Sequence, residues 1–317
     1  MTDTQNEVFK TPVNKIRLFE HGAPGSQNLK LTRKYYTEDM PDGRVKHIVQ
    51  NITDPDIVPY IPDGIGNSTD RQRIPAVLII PGGAFRRLVY NFEGEDVAKW
   101  LNSMGIAAFV LECRLPSDEH DNAEDVPLID AMRAMRVIRG RAQEFGIDEA
   151  KIGVMGFSAG GFMAALLSTA YESDVYADYK YKDEYDKLSA RPDFAVCSYP
   201  VISIDDCIEA GNRYMSEEQV LERISDSKAK ILHKYNPDKL VRPDMPPVFI
   251  CETDDDRTTL SENSVGFYMA ARKAGVSAEL HIFRTGGHGY GCGDDFAQTG
   301  EWKVLFTKWI KSIGIIS

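Results

Sequence analysis

The chain has 317 residues and carries 37 Lys and Arg against 48 Asp and Glu, a formal net charge of -11. With a pI near 5.1 and no basic stripe to offset it, nucleic acid and anionic membrane surfaces are poor partners. The five cysteines, Cys113, Cys197, Cys207, Cys251 and Cys292, are odd in number, scattered and lack Cys-x-x-Cys spacing, so buried reduced thiols are expected rather than disulfides or a zinc site.

Residues 1–44 read as an irregular segment punctuated by Pro12, Pro24, Pro41 and Gly43, and residues 45–317 as one catalytic domain. The start, Met1 to Glu7, has neither a cationic stretch nor an apolar one, and no run is long enough to span a bilayer, so a soluble cytoplasmic chain is expected. Lys46 to Ile52 and Asp56 to Ile61 predict the first strands. Ile74 to Ile80 is a buried-strand run that ends in Pro81-Gly82-Gly83-Ala84-Phe85. Such a Gly-Gly-Ala loop lets backbone N–H groups approach a developing oxyanion, which makes Gly83 and Ala84 candidate donors. Ile106 to Leu111 predicts the next strand. A helix over 125–144 sets Leu128, Ala131, Met135, Ile138, Ala142 and Phe145 on one face, its arginines on a solvated face, and Gly146 at its C-terminal cap.

The run Lys151 to Met155 then leads into Gly156-Phe157-Ser158-Ala159-Gly160-Gly161. This strand, turn and helix start with serine at the apex suits a nucleophile. Small residues are needed two positions to either side, where the backbone turns too sharply for a Cβ, and the helix N-terminus favours negative charge. Ala159 supplies a third candidate oxyanion donor. The alternative for the turn alone is a plain helix cap. Tyr171 to Asp186 is rich in tyrosine and charge, and is expected to be a surface connection rather than a sugar-stacking platform.

Phe194 to Ser198 is the next strand, followed by an insertion over about 203–244 in which Ser216-Glu217-Glu218-Gln219 starts a short helix as a capping box. After Pro247 to Ile250 come Asp254, Asp255 and Asp256; after Ala278 to Phe283 comes Gly286-Gly287-His288-Gly289. His288 alone of the 6 histidines lies in a glycine-rich loop directly behind a predicted strand. Structural or solvent-exposed roles are expected for His21, His47, His120, His233 and His281. The final helix carries Trp302, Leu305, Phe306, Trp309, Ile310 and Ile313 at helical spacing, as core.

Strands alternating with helices predict a mostly parallel sheet covered on both faces. Ser, then Asp, then His, each behind a strand, is the chain order of the α/β-hydrolase fold, in which the insertion over 203–244 forms a small lid. Spacing alone leaves open which of the three aspartates is the acid.

These motifs, with Gly22-Ala23-Pro24-Gly25, Ile147-Asp148, Leu188 to Phe194, Tyr199-Pro200 and Glu262-Asn263-Ser264, make the chain resemble the bacterial α/β-hydrolase esterases of the acetyl xylan esterase and carboxylesterase type, from about residue 16 to the C-terminus. The resemblance implies Asp256, six residues before Glu262, as the catalytic acid. The chain departs from the family pattern at Cys113, before Arg114, and at Arg257-Thr258-Thr259-Leu260, departures expected to bear on the pocket rim.

The combined expectation is a serine carboxylesterase that removes short acyl groups, acetyl above all, from carbohydrate esters such as acetylated xylo-oligosaccharides. Ser158 is the nucleophile, His288 the base and Asp256 the acid, with no metal and no cofactor. Phe85 and Phe157 are expected to contact substrate and to keep the acyl pocket shallow. The partner is a small-molecule or oligosaccharide ester, and a homo-oligomer stays open. The alternatives are a serine peptidase of the prolyl-oligopeptidase type, for which the chain leaves no room for an upstream β-propeller, and a non-catalytic hydrolase-fold binding protein.

Overall fold

The computed structural model describes residues 9, 12–64, 73–216, 218–220, 229–293 and 298–317. Eleven strands are present among them: β1 Ile16–Arg17, β2 Lys34–Asp39, β3 Val45–Gln50, β4 Asp56–Tyr60, β5 Ile74–Ile80, β6 Leu88–Val89, β7 Ala107–Glu112, β8 Ile147–Phe157, β9 Ala195–Ser198, β10 Val248–Thr253 and β11 Ala278–Phe283. The main sheet has eight strands in the order β1-β4-β7-β5-β8-β9-β10-β11, and a smaller one has the order β2-β3-β6. From β7 to β11 every neighbouring pair is parallel, while β1 and β4 join antiparallel at one edge. The strand run Ile74–Ile80 has the expected bounds, and its last six residues are buried, as a strand covered on both faces requires.

The chain steps from β5 outward to β7, then returns past β5 to β8 and proceeds to β11. Taken right-handed, as nearly all such crossovers are, the connections put α1 Asp96–Ser103 on one face, and α2 Val126–Gly140, with its continuation α3 Ala142–Phe145, and α4 Ala159–Ala170 on the other. The later helices are α5 Ile204–Tyr214, α6 Ala229–Lys234, α7 Ser261–Lys273 and α8 Trp302–Ser312. The aromatic stripe of α8 is core: Trp302 and Phe306 pack edge-on against Trp100 of α1 at 4.9 and 5.4 Å. Adjacent β5 and β8 flank the point where the winding reverses, and in open α/β sheets the crevice beyond the carboxyl ends at such a point takes the ligand.

Two expectations need correction. The first 44 residues are not irregular throughout, since they supply β1 and β2 and bury Leu18, Phe19 and Ala23. The arginines of α2 are not a solvated face: Arg133 donates to Leu18 O at 2.9 Å and to Asp183 and Asp186, Arg136 to Leu188 O at 2.9 Å, and Arg139 to the carbonyls of Glu149, Ser189 and Arg191. Their donors are taken up by loop carbonyls and carboxylates rather than left to solvent. They hold down the tyrosine-rich segment, where Tyr171, Tyr176 and Tyr179 each spend their hydroxyl on the protein and Tyr181 alone of the five tyrosines is exposed.

None of the five cysteines is in a disulfide, and four of them are buried. Among the described residues no helix is long and apolar enough to cross a membrane.

Candidate active site

Ser158 sits at φ 55°, ψ -118° between β8 and α4, a strained conformation for a residue with a Cβ. The flanking glycines explain how it is tolerated. A Cβ on Gly156 would lie 1.9 Å from Gly160 O, and one on Gly160 1.9 Å from Ile80 O. No other residue fits either position. The Ser158 side chain caps nothing in its helix, which sets aside the plain-cap alternative. Its Oγ instead lies 2.9 Å from His288 Nε2.

His288 Nδ1 lies 2.6 Å from Asp256 Oδ2, and the Asp256 side chain is fully buried while that of His288 is 23% exposed. Asp256 also accepts Thr258 N–H at 2.7 Å, Thr259 N–H at 3.0 Å and Thr259 Oγ1–H at 2.9 Å. Burial pushes its carboxyl up, but the His288 hydrogen bond and charge and the two amides outweigh it and hold the acid below the usual carboxylate range. A carboxylate so held favours the imidazole tautomer with its proton on Nδ1, leaving Nε2 free to accept the serine proton.

Asp254 and Asp255 are exposed. Asp255 Oδ1 accepts Gly286 N–H at 2.9 Å and Gly287 N–H at 2.8 Å, bracing the loop that carries His288. Residues Thr258 and Thr259, expected at the rim, lie behind the acid instead, and Thr259 Oγ1 approaches His288 Nδ1 at 3.3 Å.

The register Ile80↔Gly156 between β5 and β8 sets the loop after Ile80 level with the serine turn. Gly82 O accepts Val89 N–H at 2.9 Å and Gly83 O accepts Arg86 N–H at 3.2 Å. In a trans peptide the N–H points opposite its carbonyl, so the amides of Gly83 and Ala84 turn away from these bonds, and neither donates to an acceptor among the described residues. Ala159 opens α4, so its N–H lacks an intrahelical acceptor. Ala84 and Phe85 hold φ of 57° and 59°, a second strained turn beside the first.

Phe85 is buried, packs edge-on to Phe162 at 5.6 Å, and lines a cavity of about 10 Å³ with Leu88, Cys113, Leu115, Ala159 and Met163. Phe157 does not face that space. It is fully buried, against Tyr199 at 5.8 Å and Trp302 at 6.4 Å, because alternation along β8 turns it into the core behind the serine.

Just ahead of the insertion Val201 N–H reaches Ser158 O at 3.5 Å. Within it, Lys234 Nζ reaches Asp125, at the start of α2, at 2.7 Å and Tyr235 donates to the same carboxylate. The capping box forms as expected through Ser216 and Gln219, while Glu217 lies outside the described residues. Of the other histidines, His21 and His233 are exposed, while His47, His120 and His281 have structural settings. His120 Nδ1, for example, pairs with Ser26 Oγ at 3.0 Å, and burial together with Arg114 pushes its pKa down to about 4. Sequence reading missed Glu93 and the hydroxyl of Tyr199, both buried near the serine; their only sequence signal is polarity in a stretch that must pack.

Residues 65–270 match the BD-FAE family model, a span that includes the candidate oxyanion loop, Ser158 and Asp256. An acetylxylan esterase of Xylanibacter ruminicola is 31% identical over 240 residues, 75% of this chain and 45% of that protein. Endo-1,4-beta-xylanase B of Butyrivibrio fibrisolvens is 31% identical over 227 residues, 71% of this chain and 34% of that protein. The chain thus spans less than half the length of these curated relatives. Among solved structures, an acetyl ester-xyloside bifunctional hydrolase from Caldicellulosiruptor lactoaceticus aligns with TM-score 0.70 and 34% identity over 96% of this chain and 97% of that one. A carboxylesterase from Lactobacillus plantarum aligns with TM-score 0.68 and 20% identity over 90% of this chain and 99% of that one, a likeness of fold. The sheet order, the serine turn at its reversal point and the family match converge: the chain belongs to the BD-FAE family and has the α/β-hydrolase fold.

Proposed function

We propose that the protein is a serine carboxylesterase that removes short acyl groups, acetyl above all, from carbohydrate esters such as acetylated xylo-oligosaccharides. The observation that carries this reading is the unbroken line from Ser158 Oγ through His288, 2.9 Å to the serine and 2.6 Å to Asp256. His288 Nε2 takes the Ser158 proton as Oγ bonds to the ester carbonyl carbon. The oxygen, now negative, receives the N–H groups of Gly83, Ala84 and Ala159. As the tetrahedral species collapses, the C–O bond to the alcohol breaks and His288 returns the proton to the leaving oxygen. Water repeats the sequence on the acyl-enzyme and regenerates Ser158.

Relatives that act on acetylated xylan and acetyl ester-xyloside substrates favour an acetylated sugar as the alcohol half. The cavity of about 10 Å³ lined by Ala159 and Gly82 has room for about one water-sized group, which favours the smallest acyl groups. Reduced cysteines favour a reducing compartment, such as the cytoplasm.

Acetate release from acetylated xylo-oligosaccharides tests the reading. Ser158→Ala and His288→Ala should each lower kcat by roughly a thousandfold or more, and the double variant should be little worse than either single, since the pair acts as a unit. Losses that multiply in the double, or turnover that survives Ser158→Ala, would refute the assignment. A fluorophosphonate should label Ser158, which a binding protein without a competent base would not permit.

A further inference from the structure

Glu93 lies in one wide turn, Asn91–Glu95, ahead of α1, and is 5% exposed. Among the described residues no Lys, Arg or His pairs with it; the charges that act on it are His288 and, from β3, Lys46. Burying a carboxyl without a cation in contact is costly, so its hydrogen bonds are informative. Oε2 accepts Gly82 N–H at 2.8 Å and Oε1 accepts the Tyr199 hydroxyl at 2.9 Å. The Tyr199 oxygen in turn accepts Gly291 N–H at 3.0 Å.

Each end of this chain lands on a different part of the site. Gly82 begins the oxyanion loop and is wedged between the two groups: a Cβ there would stand 2.7 Å from Glu93 Oε2 and 2.9 Å from Ser158 Cβ. Gly291 closes the loop that carries His288, and its carbonyl accepts Trp302 Nε1–H at 3.1 Å. The Tyr199 ring stands edge-on to His288, centroids 5.0 Å apart, on a backbone at φ 38° that tertiary packing must hold.

We propose that Glu93 and Tyr199 are positioning residues for ester hydrolysis, forming a hydrogen-bonded strut that fixes the oxyanion donors relative to His288. Neither touches substrate. The strut sets how far the amides of Gly83 and Ala84 lie from the imidazole that must serve the same tetrahedral carbon, a spacing that matters in the transition state and little in the ground state. The inference rests on the reading of Ser158, His288 and Asp256 as an ester-hydrolysing site.

Tyr199→Phe removes the hydroxyl and keeps the ring; Glu93→Gln keeps the volume and one acceptor but turns an amide donor toward a donor. In each, kcat on a nitrophenyl acetate should fall about tenfold to a hundredfold while KM stays within about twofold, less than the loss from deleting an oxyanion donor itself. Affinity for phenylboronic acid, which forms a tetrahedral adduct on serine, should weaken by the same factor as kcat/KM. The double variant should be no worse than the poorer single. The melting temperature of Glu93→Gln should be unchanged or raised, since the amide brings no charge into a place where burial disfavours one; a role in stability alone predicts the opposite pattern, a lower melting temperature with kcat intact. Unchanged kcat and boronate affinity in either variant, or losses that multiply, would overturn the strut. If Ser158→Ala abolishes turnover while Tyr199→Phe is inert, only the strut fails; if Ser158→Ala is active, the reading of the site fails with it.

Discussion

Neighbouring aspartates on the loop after β10 divide two tasks. Asp256 holds His288 at 2.6 Å, and Asp255 holds the amides of Gly286 and Gly287. Asp256→Asn should therefore cost roughly 10⁴ in kcat by favouring the wrong tautomer. Asp255→Asn, which keeps an acceptor, should cost less than about tenfold, and Asp254→Asn should be near neutral by the same steady-state assay. A second residue-scale effect is on stability. The His120 pKa is depressed from 6.5 to about 4, so the unfolded chain binds its proton first on acidification. The stabilisation of the neutral form is complete above the unfolded pKa and lost as pH falls from 6.5 toward 4, at most about 3 kcal/mol. Denaturant melts at pH 7 and pH 5 should show that loss, and His120→Gln should reduce it. Ser158 and His288 were legible because each sits on a motif with its own steric reason. The acid's register was not, since three like residues in a row carry no pattern and only the tertiary turn through Thr258 and Thr259 selects among them. Glu93 escaped altogether, because a single glutamate in Asn91–Glu95 looks like surface until the fold closes over it.

Periodicity made the elements readable, and packing decided what their other faces meet. The apolar face of α2 is where spacing put it, yet its arginines are covered by residues 171–193, a segment whose lack of regular pattern hid where it would lie. The serine turn has the opposite character: two glycines fix it sterically. Gly160→Ala would place a Cβ 1.9 Å from Ile80 O, a clash with backbone that only displacement of α4 or β5 could relieve. The expected cost is about 1–3 kcal/mol or more in urea denaturation, with kcat lowered too because the displaced elements carry Ala159 and the oxyanion loop.

At the scale of the molecule, the fold places the candidate nucleophile and oxyanion loop at the one place in the sheet where adjacent strands lead their connections to opposite faces. The size of the cavity beside Ala159, which on the proposed reading receives the acyl group, sets an expectation for substrate range. An added methylene that fits gains about 0.8 kcal/mol, whereas one that does not costs about 1–3 kcal/mol in strain. In a nitrophenyl ester series kcat/KM should fall from acetate to butyrate and be slight at about eight carbons; Met163→Ala, which opens the cavity wall, should raise the butyrate-to-acetate ratio. A maximum at octanoate in the unaltered protein would contradict the shallow pocket.

The small sheet has its own consequence at this scale. Its third strand, Leu88–Val89, emerges directly from the oxyanion loop, pairs with Val49 and Ile48, and supplies the Val89 N–H that turns Gly82 O. On the proposed reading, the hairpin of β2 and β3 buttresses a loop whose charge exists only during turnover. On that reading natural variation in Lys34–Gln50 is visible to selection through reaction rate as well as through the survival of the folded chain, although that stretch contributes no group to the proposed chemistry.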